Sequence, residues 1–202
     1  MGKMKTLVLI LFLAVTLNIA GCSSVNNGAI EAASIVVEEK TVSADDKGLS
    51  LSNGTVLYNG EPFSGTVIGL YEGGDTASVS SYYLGKENGW SYKWYPDGTK
   101  MEERYYENGK KEGTHKAWYE DGSPRFVYNF VNGEYNGSVQ EWYPNGQMYK
   151  NFNYENGYET GMQTAWETNG KLLANYEVKN GRKYGLTGTH NCKSLWDNEN
   201  SM

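Results

Sequence analysis

One spacing governs this chain. Glycine recurs every 24 residues at Gly65, Gly89, Gly113, Gly137, Gly161 and Gly185. Five positions after the first five of these stand Leu70, Trp94, Trp118, Trp142 and Trp166. Four positions further on stand Gly74, Gly98, Gly122, Gly146 and Gly170. A second signal, Asn-Gly, recurs at 108–109, 132–133, 156–157 and 180–181. No insertion disturbs the register. Self-similarity at a fixed short period is the mark of a repeat array, in which each unit buries its surface against its neighbours.

The unit reads as a β-hairpin. Asp-Gly and Asn-Gly supply the positive φ that tight hairpin turns need. "YPDG" (Tyr95–Gly98) and "YPNG" (Tyr143–Gly146) place Pro where its fixed φ suits a type I turn, with Gly at the following left-handed position. The intervening segments have strand length. Composition agrees: 25 Gly, 17 Tyr and 6 Trp against 4 Pro, with few aliphatic residues after residue 70, leave burial to aromatic rings. The expectation is an all-β protein, an elongated single-layer antiparallel sheet of tandem hairpins. Leu49–Gly60 reads as an irregular hairpin capping the first unit, and the pattern decays after Gly185, where position 190 is His instead of Trp.

A three-residue loop at Pro96–Gly98 would pair Tyr95 with Thr99. Counting in twos then groups Trp94 with Arg104 and Tyr106 on one face. The later units group Trp118 with Tyr128 and Phe130, Trp142 with Phe152 and Tyr154, and Trp166 with Tyr176 and Val178. On this reading Trp94, Trp118, Trp142 and Trp166 form the structural ladder of a packed face. Each would contribute up to roughly 4–6 kcal/mol if fully buried. Tyr95, Tyr119 and Tyr143 fall on the wetter face and form the candidate binding surface, since Tyr is favoured at interfaces. His115 shares a column with Ser91, Val139 and Gln163 and is expected to be a solvated strand residue.

The N-terminus reads as an address. A basic start with Lys3 and Lys5, an apolar run at Leu7–Leu17 and small residues before Cys22 describe a secretory signal. The run is shorter than the roughly 20 residues of a spanning helix. Ile19-Ala20-Gly21-Cys22 resembles a bacterial lipobox. That resemblance implies cleavage before Cys22, acylation of its thiol with a palmitate-type chain, and an address in the cell envelope. With Ser23 next, it implies the outer membrane if the cell is Gram-negative. The division expected is a signal peptide over 1–21, a lipidated tether over 22–48, the repeat domain over 49–190 and a tail over 191–202. Cys192 then has no partner within the chain and is expected to be a free thiol.

The units themselves, with "NGKKEGTHKAWYEDG" and "NGQMYKNFNYENG", resemble the MORN repeat in its bacterial variant and the related group labelled YwqK-type antitoxins. "YNGEPFSG" (Tyr58–Gly65) resembles that group's entry to the first repeat. The resemblance covers about residues 49–190. It implies a twisted sheet of hairpins serving as a scaffold, a dimerisation module or a lipid-proximal element, and it implies no reaction.

The net charge of −6, which becomes −8 once Lys3 and Lys5 are cleaved away, disfavours nucleic acid as a partner. No metal-ligand spacing, Walker loop or nucleophile elbow is present in the sequence, so no catalytic residue, metal or cofactor is expected. Asp97 and Asp121 stand in turns where Asn145 and Asn169 replace them in later units, a swap that suits backbone chemistry and not catalysis. The function expected is a non-enzymatic, membrane-anchored lipoprotein whose sheet is a protein-interaction or envelope scaffold. The alternatives are a carbohydrate-binding module and an antitoxin or immunity protein that neutralises a partner.

Overall fold

In the computed structural model the described residues are 40–188. The segment expected to be a signal peptide, Cys22, His190 and Cys192 lie outside them. The described chain is all-β. Strand β1 (Thr41–Ser43) is followed by β2 (Leu49–Ser52), β3 (Thr55–Tyr58) and β4 (Glu61–Pro62). The array proper begins with β5 (Gly65–Leu70), β6 (Thr76–Tyr83), β7 (Lys86–Trp94) and β8 (Lys100–Glu107). It continues through β9 (Lys110–Trp118), β10 (Pro124–Val131), β11 (Glu134–Trp142) and β12 (Met148–Glu155). It ends with β13 (Tyr158–Glu159), β14 (Gly161–Trp166), β15 (Leu172–Lys179) and β16 (Arg182–Leu186). From β5 onward neighbouring strands pair antiparallel, with both β13 and β14 pairing to β12, and together with β1 they form one 13-stranded sheet.

Two turn chemistries alternate along it. The Asn-Gly turns place both residues at positive φ, as at Asn108 (49°) and Gly109 (80°), the type I′ geometry that matches strand twist. The other turns hold three residues. Tyr95 N–H donates to the Thr99 carbonyl at 2.8 Å, and Gly98 N–H, at φ 85°, donates to the Tyr95 carbonyl at 2.9 Å. The Asp97 carboxylate accepts the Thr99 N–H at 2.8 Å, and Asp121 does the same for Ser123 at 2.9 Å. Asn145 and Asn169 accept equivalently from Gln147 and Lys171. One oxygen acceptor is the whole requirement, which is why Asp and Asn exchange freely there.

The pairing of Tyr95 with Thr99 is as the sequence predicts, but the grouping of faces is not. Trp94 pairs with Lys100, and the next residue, Lys93, pairs with Glu102, so Met101 is inserted. The same bulge recurs at Arg125, Tyr149 and Leu173. One extra residue reverses the parity of everything beyond it. Trp94 therefore shares its face with Tyr92, Trp90 and Tyr105, while Arg104 and Tyr106 lie on the other face. The groupings of Trp118, Trp142 and Trp166 with residues of β10, β12 and β15 are corrected in the same way.

The buried residues occupy that other face. Tyr106, Phe130, Tyr176 and Val178 are buried there with Ala117, Ala165 and Ala174, whose small side chains leave room for the rings of neighbouring strands. The four ladder tryptophans are only half-buried. His115 is not solvated: it is 1% exposed, and in its column Val139 and Gln163 are equally enclosed. Near each of the glycines at 89, 113 and 137 the ladder is irregular, with two extra residues on the glycine-bearing strand. Side chains fill the resulting gaps. Gln163 Nε2 donates to the Asn153 carbonyl, and its Oε1 accepts the Asn153 N–H, both at 2.9 Å. His115 Nε2 lies 2.8 Å from the carbonyl oxygen of Tyr105, two repeats earlier than Asn153.

Part of the stretch expected to be tether, 22–48, belongs to the sheet. Thr41–Ser43 forms β1, which pairs in parallel with β5 and buries Val42. The expected capping hairpin over Leu49–Gly60 is present as β2 and β3, which with β4 make a separate three-stranded sheet. Phe63, 3% exposed, joins it to the array through ring contacts with Tyr58 and Tyr82. Val56 N–H donates to the Gly85 carbonyl, and Gly85 N–H to the Phe63 carbonyl.

Candidate functional site

Cys22, the expected lipidation site, lies outside the described residues. Tyr95, Tyr119 and Tyr143 are half-buried beside the three-residue turns, and their hydroxyls are engaged. Tyr95 donates to the Trp118 carbonyl at 3.0 Å, Tyr119 to the Trp142 carbonyl at 2.7 Å and Tyr143 to the Trp166 carbonyl at 3.1 Å. Tyr71 begins the series with a 2.6 Å bond to the Trp94 carbonyl. Each bond reaches 23 residues ahead, into the next unit. The tyrosines thus latch neighbouring repeats, and as a binding face they offer ring edges, not free hydroxyls.

Between two such latches lies a groove of about 320 Å³ lined by Tyr119, Phe126, Tyr128, Glu141, Trp142 and Tyr149 among others. Two of its polar side chains are already engaged with each other. Tyr128 donates to Glu141 at 2.5 Å, and Lys150 pairs with the same carboxylate at 2.7 Å. Burial, and then the hydrogen bond to Glu141, hold the Tyr128 phenol far above its ordinary pKa, so it stays a donor.

The tryptophan face is different. On β7 the residues Trp90, Tyr92 and Trp94 point the same way in succession, with ring centroids 5.7 Å and 5.8 Å apart. Tyr105 of β8 packs its edge against Trp90 at 5.1 Å. Trp90 remains 44% exposed. Lys100 lies over the Tyr92 ring at 5.3 Å while paired with Glu103 at 2.7 Å. At its turn end the strip opens into a groove of about 510 Å³ lined by Asp75, Thr76, Val79, Trp94, Tyr95 and Asp97 with the adjoining turn residues.

Sequence reasoning weighed Trp94 and passed over Trp90, Tyr92 and Tyr105. The signal was present as a departure from the repeat. In the next three units position 90 becomes Thr114, Ser138 and Met162, position 92 becomes Lys116, Gln140 and Thr164, and position 105 becomes Asn129, Asn153 and Glu177. Among the described residues no group of three or more His, Cys, Asp or Glu is placed to hold a metal ion. No helix among them is long and apolar enough to cross a membrane. The chain matches no model of a known protein family and no curated protein.

Proposed function

We propose that this protein is a non-enzymatic binding scaffold of MORN type, held at the cell envelope by a lipid on Cys22. The observation that supports it most directly is where the repeated polar side chains go. The tyrosine hydroxyls bond the next unit's backbone, the turn carboxylates bond their own turn, and His115 and Gln163 bond strand backbone. Side chains of the kind that elsewhere perform chemistry are here committed to keeping a sheet in register. A surface held that firmly suits recognition, because little order has to be gained on binding.

The anchor has a direct test. Cells fed a palmitate analogue should label the intact protein, and Cys22→Ala should carry no label. Absence of label, or label that persists in Cys22→Ala, overturns the anchored reading.

A further inference from the structure

We infer that the aromatic strip Trp90–Tyr92–Trp94 with Tyr105, together with the groove at its turn end, is a binding site for a pyranose glycan chain. The inference goes beyond the scaffold reading and depends on it only for where the site is displayed.

The first ground is that the fold does not call for three of these rings. Trp94 recurs in the three sister units that follow, but there the positions of Trp90, Tyr92 and Tyr105 carry Thr, Ser, Met, Lys, Gln, Asn and Glu, and those units form the same hairpins. An exposed tryptophan costs solvation without improving packing, so its concentration in one unit points to contact with something else.

The second ground is shape. Three rings follow one another along a single strand at steps of 5.7 Å and 5.8 Å. A pyranose is apolar on the face where its C–H bonds point and polar around its rim. Ring on ring buries the C–H face, while the hydroxyls need donors and acceptors at the margin. The strip supplies both parts. Thr76 and the carboxylate of Asp75 line the groove beyond Trp94, and Glu103 and Lys100 flank Tyr92.

The third ground is charge. Asp75 and Asp97 border the groove and Lys100 is already paired, so a phosphate backbone would meet net repulsion. A neutral, hydroxyl-rich chain does not. A strip two strands wide is also narrow for a stable protein interface, which covers roughly 800 Å² on each partner.

The test uses the full chain, purified in detergent, titrated calorimetrically with hexamers of β-1,4-linked glucose and of N-acetylglucosamine. Co-sedimentation with cellulose, chitin and peptidoglycan accompanies it. The variant W90T/Y92Q writes in residues that sister units carry at those positions, so its melting temperature should stay close to the parent's. Binding of at least one of these sugars is expected, weakened at least about tenfold in W90T/Y92Q. Tyr105→Asn, also a sister residue, should weaken it independently and serves if the double variant folds poorly. No binding to any sugar tested, or binding unchanged in both variants, overturns the assignment. Sugar binding by a protein that takes no palmitate label would leave this site standing and remove only the anchor.

Discussion

The hydroxyl of Tyr119 donates to the backbone carbonyl of Trp142 across 2.7 Å, and the two residues belong to adjacent repeats. This bond links a turn of one hairpin to the strand end of the next, and its equivalents at Tyr95 and Tyr143 extend the series. In an array stabilised by nearest neighbours, such bonds set the coupling between units.

Tyr119→Phe keeps the ring and removes the donor. It should cost about 0.5–1.5 kcal/mol, the net worth of one hydrogen bond. Urea denaturation of the parent and of Tyr119→Phe reads the difference. Tyr95→Phe should cost a similar amount, and a loss near zero in both would show that the latches do not couple the repeats.

His115 makes the fold sensitive to mild acid. Burial chiefly, then the charges of Arg104 and Lys111, push its pKa below the ordinary value of 6.5, against the upward pull of its bond to Tyr105. The unfolded chain therefore takes up the proton first. This contribution is complete above about pH 6.5 and is lost as pH falls through that value toward the folded pKa. His115→Gln, which copies the residue at Gln163 in its column, should keep the backbone bond and lessen the stability lost between about pH 7.5 and about pH 5. Parallel melts of parent and variant across that range are the measurement, and identical slopes would contradict it.

Leu84 occupies the left-handed position (φ 48°) that Asn fills in the later type I′ turns, and its side chain is exposed. Leu84→Asn should stabilise the chain by about 1 kcal/mol, because a β-carbon there crowds the backbone and Asn tolerates the conformation. The neighbouring Gly85→Ala should do the opposite. Its new Cβ would fall 2.6 Å from the Val56 carbonyl oxygen as well as against the Thr55 methyl, with φ at 77°. Melting temperatures that move in opposite directions would check the pair.

Phe63 fastens the three-stranded sheet to the array. Phe63→Ala should cost about 3–5 kcal/mol locally, as expected for truncating a buried ring. Hydrogen exchange should then accelerate at the Val56 and Gly85 amides and not at Gly133 or Gly157, which lie in distant turns. Uniform acceleration would show that the small sheet and the array unfold together.

Much of this architecture is legible from residues alone, and for identifiable reasons. Turn conformations are local: Asn108-Gly109 and Asp97-Gly98 encode their own φ angles, so both turn types and the hairpin order could be read in advance. The parallel strand Thr41–Ser43 was hidden because its partner, β5, lies 25 residues away and its own composition resembles a tether.

The sequence by itself determined that hairpins repeat and where they turn. Only the tertiary structure decided which ring faces which way. Side chains alternate with period two, so one bulged residue at Met101, and again at Arg125, Tyr149 and Leu173, moves every later side chain to the opposite face. Whether a bulge forms depends on how two strands pair, which no single segment specifies. That geometry buried His115, turned Tyr119 into a latch and left Trp90 beside Tyr92 on the surface.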